Sequence, residues 1–185
     1  MNGDYFKLLG MSQALVVDES QLKDAWHRAA ALAENPEEVH RAYAVLREPA
    51  RRIEHLLALQ GRKTGGNEKP GATLFDLFFT IGATLKKADD IYRRASEATS
   101  ALQRAGLTGE LLASLDELQS AGQFILTEKD QRKAELTAFS FPNLSDQEWE
   151  TLATLGNDFS FLSKWENEIR KRESHLQEIL IGKIV

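Results

Sequence analysis

Four histidines, two carboxylate pairs, one glycine doublet and one arginine run are the residues with the types to do chemistry. His27, His40, His55 and His175 are scattered along the chain and read as surface residues rather than metal ligands. Asp89-Asp90 and Asp116-Glu117 are adjacent in sequence. On a helix such neighbours point to different faces, so neither pair makes a general acid/base dyad. Gly65-Gly66 lacks the strand-to-helix setting of a phosphate loop. Arg51-Arg52, with Arg47 one turn earlier, reads as a solvated helix face, with phosphate or an acidic partner as the functional alternative. There are no cysteines, which removes disulfides, thiolate metal sites and a cysteine nucleophile. No catalytic constellation emerges, so neither an enzyme nor a cofactor is expected.

The 185 residues are 42% hydrophobic and 28% charged, with a formal net charge of −5. That is chain enough for one ordinary domain or two small ones. Nucleic-acid binding is not expected, because its proteins carry a clustered basic face. No segment is apolar enough to span a bilayer, and MNGDYFKLLGM lacks the features of a signal peptide, so a soluble cytoplasmic protein is expected.

The elements that would position any site are helices throughout. Asp4 to Leu9 forms a short one ending at Gly10. A second starts after Asp18, with Gln21 completing a capping box, and carries Leu22, Ala25, Trp26, Ala29 and Leu32 on one stripe. In the stretch AENPEE, Asn35 suits an N-cap, Pro36 the first helical position and Glu38 the return bond of a capping box. Val39, Ala42, Tyr43, Leu46, Ile53, Leu56 and Leu57 supply the apolar face of this third helix, which Pro49 should bend or loosen.

Glycine and proline then cluster in GRKTGGNEKPG, residues 61–71, which reads as a linker between domains. Beyond it three long helices are expected: about Thr73 to Ala105, Thr108 to Phe139, and Ser145 to Leu180. Leu155, Leu162, Ile169 and Leu176 recur every seven residues on the last of them, interleaved with Leu152, Phe159 and Leu180. The predicted fold is all-α, with a helical hairpin domain at 1–60, a linker at 61–71 and an antiparallel three-helix bundle at 72–185.

These segments resemble a known family. DYFKLLGM at 4–11 looks like the opening of a J domain, and AYAVLREPARRIEHLLALQG at 42–61 like its last helix. The ending LREPARRIEHLLALQG is similar to HscB, the J-domain co-chaperone family of iron–sulfur cluster assembly, and FSFLSKWENEIRKRESHLQEIL at 159–180 resembles that family's final helix. The resemblance implies a J-like domain, a bundle that binds a client, and two partners: a DnaK/HscA-class chaperone and an IscU-like scaffold protein.

The family stimulates its chaperone through a His-Pro-Asp loop, and no His-Pro-Asp occurs in this chain. The loop would fall near Ala33, Glu34, Asn35 and Pro36, so stimulation of a chaperone ATPase in the usual way is not expected. Lys23, His27 and Arg28 are offset by Asp24 and Glu34, leaving a poor copy of the family's basic docking face.

The client-binding segment of the family corresponds to TLFDLFFTIGATL, residues 73–85. Leu74, Phe78, Ile81, Leu85 and Tyr92 lie within about 40° of the direction of Leu74, which makes them the core stripe. Phe75 and Phe79 point about 100–140° away from it. Phe161 lies off the heptad seam and matches the family's binding phenylalanine, so Phe75, Phe79 and Phe161 are the candidate partner-binding residues. Thr80 and Ala83 stand where the family has flanking carboxylates. Two alternatives stay open: these aromatics cover the junction with the J-like half, or the protein is a structural or oligomerising helical module.

Overall fold

The computed structural model describes residues 3–62 and 74–182. Among them it contains seven helices and no strand: α1 Tyr5–Leu8, α2 Glu19–Leu32, α3 Pro36–Arg47, α4 Pro49–Leu59, α5 Phe75–Ser96, α6 Ala101–Leu136 and α7 Asp146–Leu180. The chain is all-α, as the periodicity predicts. From residue 63 onward the expected linker lies outside the described residues.

Local chemistry accounts for most helix starts. Asp18 accepts from the backbone N–H of Gln21 at 2.9 Å and opens α2. Asn35 accepts from the N–H of Glu37 at 3.2 Å, and Pro36 fills the first turn of α3. Pro49 does more than bend its helix. It divides it, since Glu48 takes an extended conformation (ψ 118°) and α4 restarts at the proline. Ser145 and Glu148 form the reciprocal box at the head of α7: the Ser145 N–H donates to Glu148 Oε2 at 2.7 Å, and the Glu148 N–H to Ser145 Oγ at 3.3 Å. Hydrogen bonds from Ser145 hold the Glu148 carboxyl below its ordinary pKa.

The break between α5 and α6 differs from expectation. It falls at residues 97–100, not at Gly106, and α6 runs uninterrupted through Gly106 and Gly109. A Ser100-x-x-Gln103 box explains the start. Gln103 Oε1 accepts from the N–H groups of Thr99 and Ser100, and Ser100 Oγ accepts from that of Gln103 at 3.2 Å. A mid-helix glycine costs only about 1 kcal/mol, which a box and the burial of Leu111, Leu115 and Leu118 outweigh.

The helices form two compact units. The first comprises Met1–Lys69 with Gln131–Ser160, the second Pro70–Asp130 with Phe161–Val185, so α6 and α7 each contribute to both. In the first, Phe6, Leu22, Val39, Leu46, Ile53 and Leu56 are buried together with Leu136, Trp149, Leu152, Leu155 and Phe159. The early residues of the heptad seam thus belong to the core built on α1 to α4. At Gly156 α7 passes close to α4, since a Cβ there would lie 2.9 Å from Ile53 Cγ2. In the second unit, Leu74, Ile81, Ala88 and Ile91 of α5 meet Leu111, Leu118 and Ile125 of α6 and Leu162, Ile169 and Leu176 of α7.

Several residues sit differently from their sequence reading. Leu32 is 87% exposed, because it ends α2 one turn past the last buried contact. Arg52 is buried, not solvated: its Nε donates to the Leu15 carbonyl at 2.9 Å and its Nη1 to that of Leu46 at 2.5 Å. Burial pushes its pKa down to about 10. It closes the end of α3 that Pro49 opens.

His55 is buried too. It stacks on Tyr5, ring centroids 4.5 Å apart, and its Nε2 accepts the Tyr5 backbone N–H at 3.1 Å. Burial lowers its pKa, opposed by Asp4. Because the folded pKa lies below the unfolded value, the neutral ring stabilises the fold at neutral pH. That stabilisation is lost as pH falls through the folded pKa. Thermal melts between pH 7.5 and 5.5 should therefore show a Tm that drops more steeply in wild type than in His55→Gln, which keeps an acceptor but cannot become charged. Parallel slopes would show that His55 does not titrate with unfolding.

Candidate functional site

No group of side chains that could hold a metal occurs among the described residues, and no described helix is long and apolar enough to cross a membrane. What the second unit does carry is a run of aromatic rings. Phe75 and Phe79, one turn apart on α5, meet edge to face at 5.2 Å. Phe78 meets Phe79 in the same way at 5.6 Å and reaches Trp165 of α7 at 6.1 Å. Trp165 in turn lies 5.9 Å from Phe161. The structure therefore brings Phe75, Phe79 and Phe161 into one chain of contacts, with Phe78 and Trp165 as the links.

These rings are not equally accessible. Phe75, Phe78 and Phe79 are 48%, 46% and 61% exposed, whereas Phe161 is half-buried and Trp165 buried. Phe78 was expected in the core. It lies outside because the buried line of α5 is Leu74, Ile81, Ala88 and Ile91, whose small Ala88 and bulky isoleucines pack against α6 and α7. Phe78 falls at the edge of that line and leans on Trp165 instead. Edge-to-face packing gives each exposed ring about 0.5–1.5 kcal/mol beyond its burial, so the cluster is held in place without being covered. Contiguous exposed apolar surface of this kind marks interaction sites.

The residues at the expected chaperone loop form something simpler. Only Ala33, Glu34 and Asn35 separate α2 from α3, and Asn35 is occupied as a cap. Glu34 and Pro36 are exposed, and Pro36 is the first residue of α3. Beside this turn, the Trp26 indole N–H donates to His40 Nδ1 at 2.9 Å and the indole stacks on Tyr43, tying α2 to α3. His40 is thereby a hairpin contact, while His27 lies against Trp26.

No family model matches the chain, and no curated protein does. A solved structure does: the chain is similar to the chaperone HscB from Vibrio cholerae with a TM-score of 0.54. The fold is HscB-like. The likeness covers 94% of this chain and 99% of that one at 20% identity, so it extends through both units and speaks to fold alone.

Proposed function

We propose that this protein is a non-enzymatic, HscB-like co-chaperone homologue that binds a client or scaffold protein through Phe75, Phe79 and Phe161 and does not drive a chaperone's ATPase in the usual way. The observation that carries the reading is the exposed aromatic cluster on α5, held open on an HscB-like scaffold. By analogy of fold, the partner class is an IscU-like scaffold protein of iron–sulfur cluster assembly, and the setting is the cytoplasm. The expected organisation keeps a J-like half at 1–60, a linker at 61–71 and a client-binding bundle at 72–185.

Calorimetric titration against the purified scaffold protein of the same host tests the client half. Wild type should bind, and a Phe75→Ala, Phe79→Ala, Phe161→Ala triple variant should lose about tenfold or more in affinity while keeping its helical circular dichroism. Equal affinities would remove the aromatic cluster from the interface. The same rings would suit self-association. A wild-type dimer in sedimentation that the triple variant reduces to monomer, without scaffold binding, would favour the structural alternative.

The J-like half makes a separate prediction. With Asn35 as an N-cap and no protruding loop, added protein should leave phosphate release by a DnaK- or HscA-class chaperone unchanged, with or without client. Asn35→Ala should destabilise the fold by roughly 0.5–2 kcal/mol in denaturant melts. Stimulation that disappears on changing Asn35 or Pro36 would show the turn to be an active loop instead.

A further inference from the structure

The α5 helix has a second surface that the aromatic cluster does not use. Relative to the buried Leu74–Ile81 line, Phe75, Phe78 and Phe79 point to one side. Asp76, Leu77, Thr80 and Thr84 point about 160° round the helix to the other. There α5 and α6 enclose an open groove of about 670 Å³. Leu77 and Ala121 line its floor above the buried Leu74 and Ile81, and Phe124 stands half exposed at its edge.

Its charge is one-sided. Among the described residues, Asp76, Asp116, Glu117 and Glu128 line the groove and no lysine, arginine or histidine does. Glu117 pairs across to Lys87, and Asp76 and Asp116 keep the lining negative along its apolar floor. The groove spans Leu74 to Thr84 on one helix and Asp116 to Glu128 on the other. At 1.5 Å per residue that is roughly 15–18 Å, or about three helical turns.

From this geometry we infer that the α5–α6 groove docks a basic amphipathic helix of a partner protein, with apolar residues at helical spacing on Leu77, Ala121 and Phe124 and lysines or arginines facing Asp76 and Asp116. A trough between two helices takes a third helix side by side, and apolar anchors with complementary charge are how helix-in-groove recognition obtains affinity and register. The site is distinct from the aromatic cluster of the proposed function and does not depend on it.

Fluorescence anisotropy tests it with a synthetic helix of about fourteen leucines and lysines carrying its leucines on one face. The expected result is saturable binding. Thr80→Trp, an exposed position whose indole would fill the groove, should weaken it about tenfold, as should Asp76→Lys with Asp116→Lys. Phe79→Ala should leave it unchanged, and a peptide of the same composition with its leucines dispersed around the helix should bind at least about tenfold more weakly. Equal binding of the dispersed peptide, or indifference to Thr80→Trp in a variant that retains wild-type Tm, would overturn the proposal. So would a concentration-dependent dimer abolished by Thr80→Trp, which would make a second copy the occupant. Loss on Phe79→Ala alone would assign peptide binding to the aromatic cluster.

Discussion

Asp158→Ala should lower stability by about 3–5 kcal/mol, the largest loss expected from a single charged side chain in this protein. Asp158 and Arg132 form an ion pair, Nε to Oδ2 at 3.2 Å, with side chains only 5% and 6% exposed. Removing the carboxylate takes away the negative charge that faces the Arg132 Nε, so less of the desolvation of that buried guanidinium is offset. The double change Arg132→Met with Asp158→Leu should recover most of the loss, because it removes both charges and keeps the volume filled. Urea titrations of the two variants and wild type decide it. A loss below about 1 kcal/mol for Asp158→Ala, the range of exposed pairs such as Arg93 with Asp90, would show that water reaches the site.

Leu162→Ala comes next, at about 2–5 kcal/mol. Leu162 is fully buried where α7 meets α5 and α6, and its neighbours on the seam, Ile169 and Leu176, are buried as well. Close-packed helices cannot collapse onto a missing isobutyl group, so a cavity term adds to the lost transfer energy. Phe161→Ala, next in sequence, should cost less than half as much, since the ring is half-buried and touches Trp165 from the side. The comparison matters for function. A loss for Phe161→Ala equal to that for Leu162→Ala would make Phe161 a core residue, and the binding cluster would then rest on α5 alone.

Much of the local structure was legible because its causes are local. Asp18, Asn35 with Pro36, and Ser145 with Glu148 each satisfy helix-end N–H groups within three residues, so the sequence contains both partners. The Ser100-x-x-Gln103 box at the α6 start is equally local, and it outweighs the breaking tendency of Gly106 within the helix. Helical spacing likewise sets Phe75 and Phe79 off the core stripe, and both are exposed. The same reading misplaced Phe78, since one helix's apolar arc is wider than the strip its neighbours cover, and only the positions of α6 and α7 choose within it.

By itself, then, the sequence determined that the chain is helical, where most helices begin, that all the heptad residues named on α7 but Leu180 are buried, and that no His-Pro-Asp tripeptide occurs. Tertiary structure alone decided the rest. Leu152, Leu155 and Phe159 share a seven-residue rhythm with Leu162 and Ile169, yet they complete the core of α1 to α4 while the later ones complete that of α5 and α6. Arg52 and His55 are buried because the Leu15 carbonyl and the Tyr5 N–H arrive from distant parts of the chain to satisfy them, with the Leu46 carbonyl presented to Arg52 across the α3–α4 break. A periodic pattern fixes which face of a helix is apolar, but it carries no record of what that face meets. The partners of a buried polar group, and the edges of a groove, exist only once separate helices have been brought together.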